Sequence, residues 1–120
     1  MRQADKTVIR KMIEYCDQIA TLTKRFGCSF EAFRDDFAYQ YAVGMCIIQI
    51  GELVNRLSTD ALAETVSIPW RLIRAMRNVY AHDYDRTKPL TVWQTVTEDI
   101  PALRGQLSEL LLSSDNSESE

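Results

Sequence analysis

Histidine is the scarcest of the chemically versatile residues in this chain: 120 residues hold one, His82. Chemistry that needs two imidazoles from a single copy is excluded. Cysteine is nearly as rare. Cys16, Cys28 and Cys46 are odd in number, and their spacing fits neither a zinc site nor a CxxC redox pair. They read as reduced thiols of a cytoplasmic protein. No apolar run approaches the roughly 20 residues that cross a bilayer, so no membrane span is expected. Met1 to Lys11 mixes charges of both signs and leads to no small-residue cleavage site, so no secretion signal is read there. Positive charge is also in deficit, with 14 Lys and Arg against 17 Asp and Glu, a net charge of −3. A protein that coats nucleic acid by general electrostatics is usually strongly basic. Any contact with RNA must therefore come through a local basic patch.

What is present is helical periodicity. The length implies one domain, with enough apolar content to bury a core without metals or disulfides. Val8, Met12, Tyr15, Ile19 and Leu22 recur at spacings of three and four, which predicts a helix from about Asp5 to Phe26, stopped at Gly27. Ser29 can cap a second helix, from about Phe30 to Leu57. Phe33, Phe37, Tyr41, Met45 and Ile48 form one of its stripes, expected to be core. Ile47, Ile50, Val54 and Leu57 form another. So wide an apolar surface suits a central helix, or one that also meets a partner. Gly44 and Gly51 lie seven apart inside it. Glycine costs about 1 kcal/mol in a helix interior, so close approach of another helix is the expected reason for both.

Ser58-Thr59-Asp60 reads as a turn and cap before a short helix to about Val66. Pro69 starts another, carrying Leu72, Ile73, Met76 and Tyr80. His82 to Lys88 reads as a helix end and loop. Pro89 restarts the chain, and a stripe from Val92 through Leu107 continues to about Leu112. Pro101 predicts a kink near Thr97–Ile100. Residues 113–120 are serine-rich and acidic, which predicts a disordered tail after a domain at 1–112. Strand alternation and internal repeats are absent. The fold class is therefore all-α, a bundle of about five helices with a kinked C-terminal helix.

The chemistry concentrates around His82, whose side chain ordinarily titrates near neutral pH. Arg71, Arg74 and Arg77 recur every third residue on the helix leading to it, roughly along one side. Asn78 and Tyr84 add neutral hydrogen-bonding groups. A guanidinium grips phosphate through a planar fork. An imidazole beside such a fork is what RNA cleavage without a metal needs: one group moves the 2′-OH proton, the other balances charge on the phosphorus centre. Taken without context, Arg71 and Arg74 are solvated surface, Tyr80 is core, and a lone histidine in a last helical turn is a dipole cap.

The context is more specific. Arg77, four residues, His82, one residue, Tyr84 resembles the R-x4-H-x-Y signature of HepT-type HEPN toxins, and Asn78 fits their usual polar residue after the arginine. The flanking segments Ile50-Gly51-Glu52, Ile68-Pro69-Trp70-Arg71, Met76-Arg77-Asn78, and Val92-Trp93 through Asp99-Ile100-Pro101 are similar to the same family. The resemblance covers about Phe37 to Leu107 well, and the N-terminal helix by pattern only.

That resemblance implies a HEPN-type helical bundle forming a homodimer, with a composite site in which Arg77 and His82 of both copies face each other. It implies metal-independent endonucleolytic cleavage of RNA (mRNA or tRNA), leaving a 2′,3′-cyclic phosphate, with no cofactor. Arg77 and His82 would be catalytic, and Asn78 and Arg74 would support the site. It further implies a type VII-like toxin–antitoxin pair. An MntA-type nucleotidyltransferase antitoxin would neutralise the toxin by AMPylation of Tyr84. The alternative is a non-catalytic HEPN scaffold or substrate-binding partner of such a nucleotidyltransferase.

Overall fold

A computed structural model describes the backbone of residues 1–119 and the side chains of residues 1–115. Among the described residues there is no strand, and the fold is an all-α bundle. The elements are α1 (Gln3–Phe26), α2 (Phe30–Arg34), α3 (Phe37–Val54), α4 (Thr59–Glu64), α5 (Trp70–His82), a 3-10 turn (Tyr84–Arg86), α6 (Pro89–Gln94), a π turn (Thr95–Asp99) and α7 (Ile100–Ser119). Helix α3 is central, packed most extensively against α5 and then α1, with α7 lying along α1.

Helix α1 buries Ile9, Met12, Cys16 and Ile19. Val8 and Tyr15, placed on the core stripe by their spacing, flank that face and are only half-buried. Gly27 ends the helix at φ +117°, a conformation that favours glycine. The single second helix expected over Phe30–Leu57 is two helices. Asp36 breaks it by accepting from the amides of Ala38 and Tyr39, and so caps α3. Gln40 Nε2 donates to the carbonyls of Phe33 (2.9 Å) and Arg34 (2.8 Å), so the end of α2 is satisfied where the chain turns. Phe26, Phe33, Tyr39 and Trp93 close this end of the bundle through ring contacts of 5.0–6.3 Å between centroids.

Polar groups organise the opposite end. The buried Asp5 carboxylate accepts from the Ser58 amide (2.8 Å) and hydroxyl (2.7 Å), while the same hydroxyl caps α4 by accepting from Ala61 N. Burial opposes the charge on Asp5, but the two Ser58 hydrogen bonds outweigh it and lower the pKa. Trp70 Nε1 donates to Thr65 Oγ1 (2.9 Å), anchoring the start of α5.

The kink expected ahead of Pro101 takes the form of the π turn. The Ile100 amide donates to Thr95 O, five residues back. A proline lacks the N–H for the helical bond to residue 97 and clashes with that carbonyl, and the wider turn accommodates both problems. Beyond it, α7 continues through residues 113–119 rather than ending at Leu112; Glu120, the last residue of the tail expected at 113–120, lies outside the described residues. Residues 113–119 hold no proline or glycine to stop the helix. Asp115 is tied back to the fully buried Lys6 at 3.1 Å.

Helix α3 is also the exception to the expectation of no membrane-length run. Its 18 residues have a mean hydropathy of 1.3, enough to match a span by length and composition, and half of the helix is buried within the bundle. Most of its inward face is fully covered: Tyr39, Val43, Ile47, Ile50 and Val54 are 0% exposed. The stripe expected to be core is not. Phe33 is buried, but Phe37, Tyr41 and Met45 are 71, 62 and 55% exposed. At about 100° per residue, Phe37, Tyr41, Met45, Ile48 and Glu52 share an arc of roughly 80°. This stripe is an open apolar face, not the seam against α1.

Candidate active site

Helix α5 carries the signature, and α3 sets where it lies. A Cβ built on Gly51 would stand 2.2 Å from Arg77 Cβ and 2.7 Å from Arg77 Cγ. Only glycine lets α5 come this close, so the glycine expected to permit helix approach does so directly beneath the arginine. Two turns earlier, Gly44 faces Tyr84, but there an added Cβ would lie 3.4 Å from Tyr84 Cε2, an ordinary contact, so the close approach expected at both glycines is required only at Gly51. The two glycines border the open arc of α3. Arg77 and Tyr84 are thus placed along its edge.

Arg77 is half-buried. Its Nη2 forms an ion pair with Glu52 of α3, and its Nη1 donates to Asn78 Oδ1 at 2.9 Å. Asn78 therefore orients the arginine. Arg77 Nε is buried with no hydrogen-bond partner. Arg74, a turn earlier, and Arg71, a further turn back, are exposed. Glu52 had no assigned role in the sequence. The signal for it is plain in retrospect: it is the only charged residue in α3, and a lone carboxylate on an apolar helix needs a cation.

His82 is the last residue of α5 and is exposed. Helix and loop meet where expected. The Asp83 amide closes α5 on Val79 O (2.8 Å), and Arg86 pairs with Asp83 at 3.5 Å across the 3-10 turn. That turn aims Tyr84 back onto the bundle. Its ring lies 5.8 Å from Tyr41 and 6.2 Å from Tyr80, centroid to centroid. Burial, and then the neighbouring Tyr41, raise the Tyr84 pKa. Tyr80 is core, as its position implied, and burial pushes its phenol up to about 12. Both phenols are neutral at physiological pH.

The arrangement offers one oriented guanidinium and one neutral phenol along the edge of an uncovered apolar strip, with one exposed imidazole at the end of the helix that carries the guanidinium. Two hollows of the single chain lie elsewhere. One, of about 420 Å³ between α5 and α7, is lined by Leu72, Met76 and Asp99 among others. The second, of about 530 Å³ between α1 and α7, is lined by Cys16, Cys28 and Arg104 among others. Neither includes Arg77, His82 or Tyr84.

Comparison with known proteins points the same way. A protein of Thermococcus cleftensis named Probable ribonuclease HepT is 31% identical over 110 residues, 92% of this chain and 98% of the relative. A Methanocaldococcus jannaschii protein with a provisional RNase name is 30% identical over 106 residues, 88% of this chain and 86% of its own. A Caldanaerobacter subterraneus protein, also provisionally named an RNase, is 28% identical over 103 residues, covering 86% and 90%. No solved structure matches. The family described as Ribonuclease HepT-like matches residues 12–110, which span α3, α5 and the whole signature. The chain belongs to the HepT-like ribonuclease family.

Proposed function

We propose that this protein is an endoribonuclease toxin of a toxin–antitoxin pair, acting on RNA in the cytoplasm without a metal ion. The observation that carries the reading is the placement of Arg77, oriented by Glu52 and Asn78, on the same helix as the exposed His82 and beside the open face of α3. His82 takes the proton of a ribose 2′-OH, and the 2′-oxygen attacks the adjacent phosphorus. The 5′-oxygen leaves with a proton, giving a 2′,3′-cyclic phosphate and a 5′-OH. Arg77 donates to the non-bridging oxygens as their charge grows.

One chain supplies one imidazole, whereas this reaction uses a base and an acid. A second copy seated on the open α3 face would supply the other, together with a second arginine. That is the reason to read the site as composite and the protein as a homodimer. Phe37, Tyr41 and Met45 favour burial there by about 1.5–3 kcal/mol each when fully covered.

Tyr84 is read as the control point. A nucleotidyltransferase antitoxin would direct its phenol oxygen onto the α-phosphorus of ATP, releasing pyrophosphate and leaving a phosphodiester-linked AMP. The added negative charge would occupy the arginine fork and block RNA. Intact-mass analysis after incubation with the cognate nucleotidyltransferase and ATP tests this. A mass gain lost in Tyr84→Phe supports it, and the same gain in that variant removes the assignment.

The nuclease reading is tested by incubating RNA with the purified protein in EDTA, beside Arg77→Ala and His82→Ala. Cleavage by the wild type alone is the expected result. Equal cleavage by all three would trace the activity to a contaminant and end the argument. An inactive wild type carrying no adenylate would instead indicate a scaffold for the nucleotidyltransferase, in which Glu52–Arg77 is only a strut.

A further inference from the structure

We propose that Glu52 is a positioning residue for cleavage, acting through Arg77 rather than on the substrate; the inference rests on the ribonuclease reading above. Three contacts define the arginine. Gly51 lets its Cβ and Cγ press on the α3 backbone. Glu52 holds Nη2 and Asn78 holds Nη1. A guanidinium has five N–H donors. Asn78 takes one N–H of Nη1, Glu52 holds Nη2 through an ion pair, and Nε is buried without a hydrogen-bond partner, as is Glu52 Oε1. N–H groups remain on both terminal nitrogens, and with such a pair a fork meets two phosphate oxygens. Glu52 thus selects the rotation of the guanidinium plane without spending the donors the phosphate needs.

The ion pair also carries an opposing effect. A carboxylate beside an incoming phosphate repels it, and both side chains of the pair remain partly exposed, at 41% for Glu52 and 28% for Arg77. Glu52 therefore weakens ground-state binding slightly while fixing the geometry required at the transition state. A structural strut would not divide its effect this way. Losing it would change the melting temperature and the folded fraction, with each folded molecule turning over normally.

The test uses the full chain as wild type, Glu52→Ala and Glu52→Gln. In Glu52→Ala, kcat falls on the order of 100-fold, as a misplaced reacting group would make it, while KM stays the same or drops. Glu52→Gln keeps an oxygen for Nη2 and restores most of the lost turnover. The second readout is the set of arginine side-chain N–H resonances, with Arg77 assigned by their loss in Arg77→Lys. Its terminal nitrogens give separate, slowly exchanging signals in the wild type and Glu52→Gln. These signals average together in Glu52→Ala. Melting curves confirm that each variant is folded. Turnover in Glu52→Ala equal to the wild type, or unchanged Arg77 signals in that variant, overturns the proposal. If the wild type cleaves no RNA, the ribonuclease reading fails on that ground, and the Arg77 signals alone decide whether Glu52 positions the side chain.

Discussion

The two faces of α3 have much the same apolar character and different fates. Val43, Ile47, Ile50 and Val54 are sealed within the chain's own bundle, while Phe37, Tyr41 and Met45 stand open about 150° round the helix. Burial and apolarity are separable: the first face is used by this chain, and the second is available to another. Two of the signature residues lie at the border between them, with Arg77 over Gly51 and Tyr84 over Gly44.

Opposite responses to charge would expose the difference most strongly. Ile50→Asp puts an unpaired carboxylate in the sealed face and should cost about 4 kcal/mol or more, enough to unfold a domain of this size. Thermal unfolding followed by circular dichroism reads it. Met45→Arg on the open face should leave the melting of the helices nearly unchanged, convert dimer to monomer by sedimentation, and reduce RNA cleavage at least about 100-fold. Equal destabilisation by both would mean the two faces do not differ.

Gly51→Ala comes next. The added methyl meets the Arg77 stem, so α5 must shift, at about 1–3 kcal/mol, and cleavage should fall by on the order of 100-fold. Asp5→Ala perturbs the bundle far from the open face. It removes both Ser58 hydrogen bonds and should cost about 1–3 kcal/mol in chemical denaturation, with cleavage per folded molecule unchanged. Because the folded Asp5 pKa lies below its ordinary 3.8, its stabilisation is complete above that value and fades as pH falls through the lower folded one. An acid titration should show this pH-linked loss in the wild type and not in Asp5→Ala. The smallest effect is expected at Gly44. Its Cβ would make only an ordinary contact with Tyr84, so Gly44→Ala should raise stability by up to about 1 kcal/mol through helix propensity.

The contrast between the faces also explains what was legible beforehand. The helices declared themselves through spacing, and the signature through residues close enough in sequence to share one helix end. Gly51 announced a close approach, but only the fold names Arg77 as what approaches, and at Gly44 the expected close approach is an ordinary contact with Tyr84. The Phe33–Phe37–Tyr41–Met45 stripe misled because helical period is the same whether a face is covered by its own chain or by a partner. The break at Asp36 left no mark in the spacing, because the apolar stripe runs on across it and only the fold shows the aspartate capping α3. The helix past Leu112 was hidden by its composition: serine and acid lower apolarity without preventing a helix that Lys6 anchors at Asp115.

The central claim is that the site at Arg77 and His82 is completed by a second copy on the open face of α3. Its most direct test is RNA cleavage in EDTA across a protein dilution series spanning dimer dissociation, for the wild type, Met45→Arg and Arg77→Ala. Wild-type activity per protomer should fall in step with the dimer, and both variants should be silent at every concentration. A monomeric Met45→Arg that cleaves RNA as fast as the wild type would contradict the account.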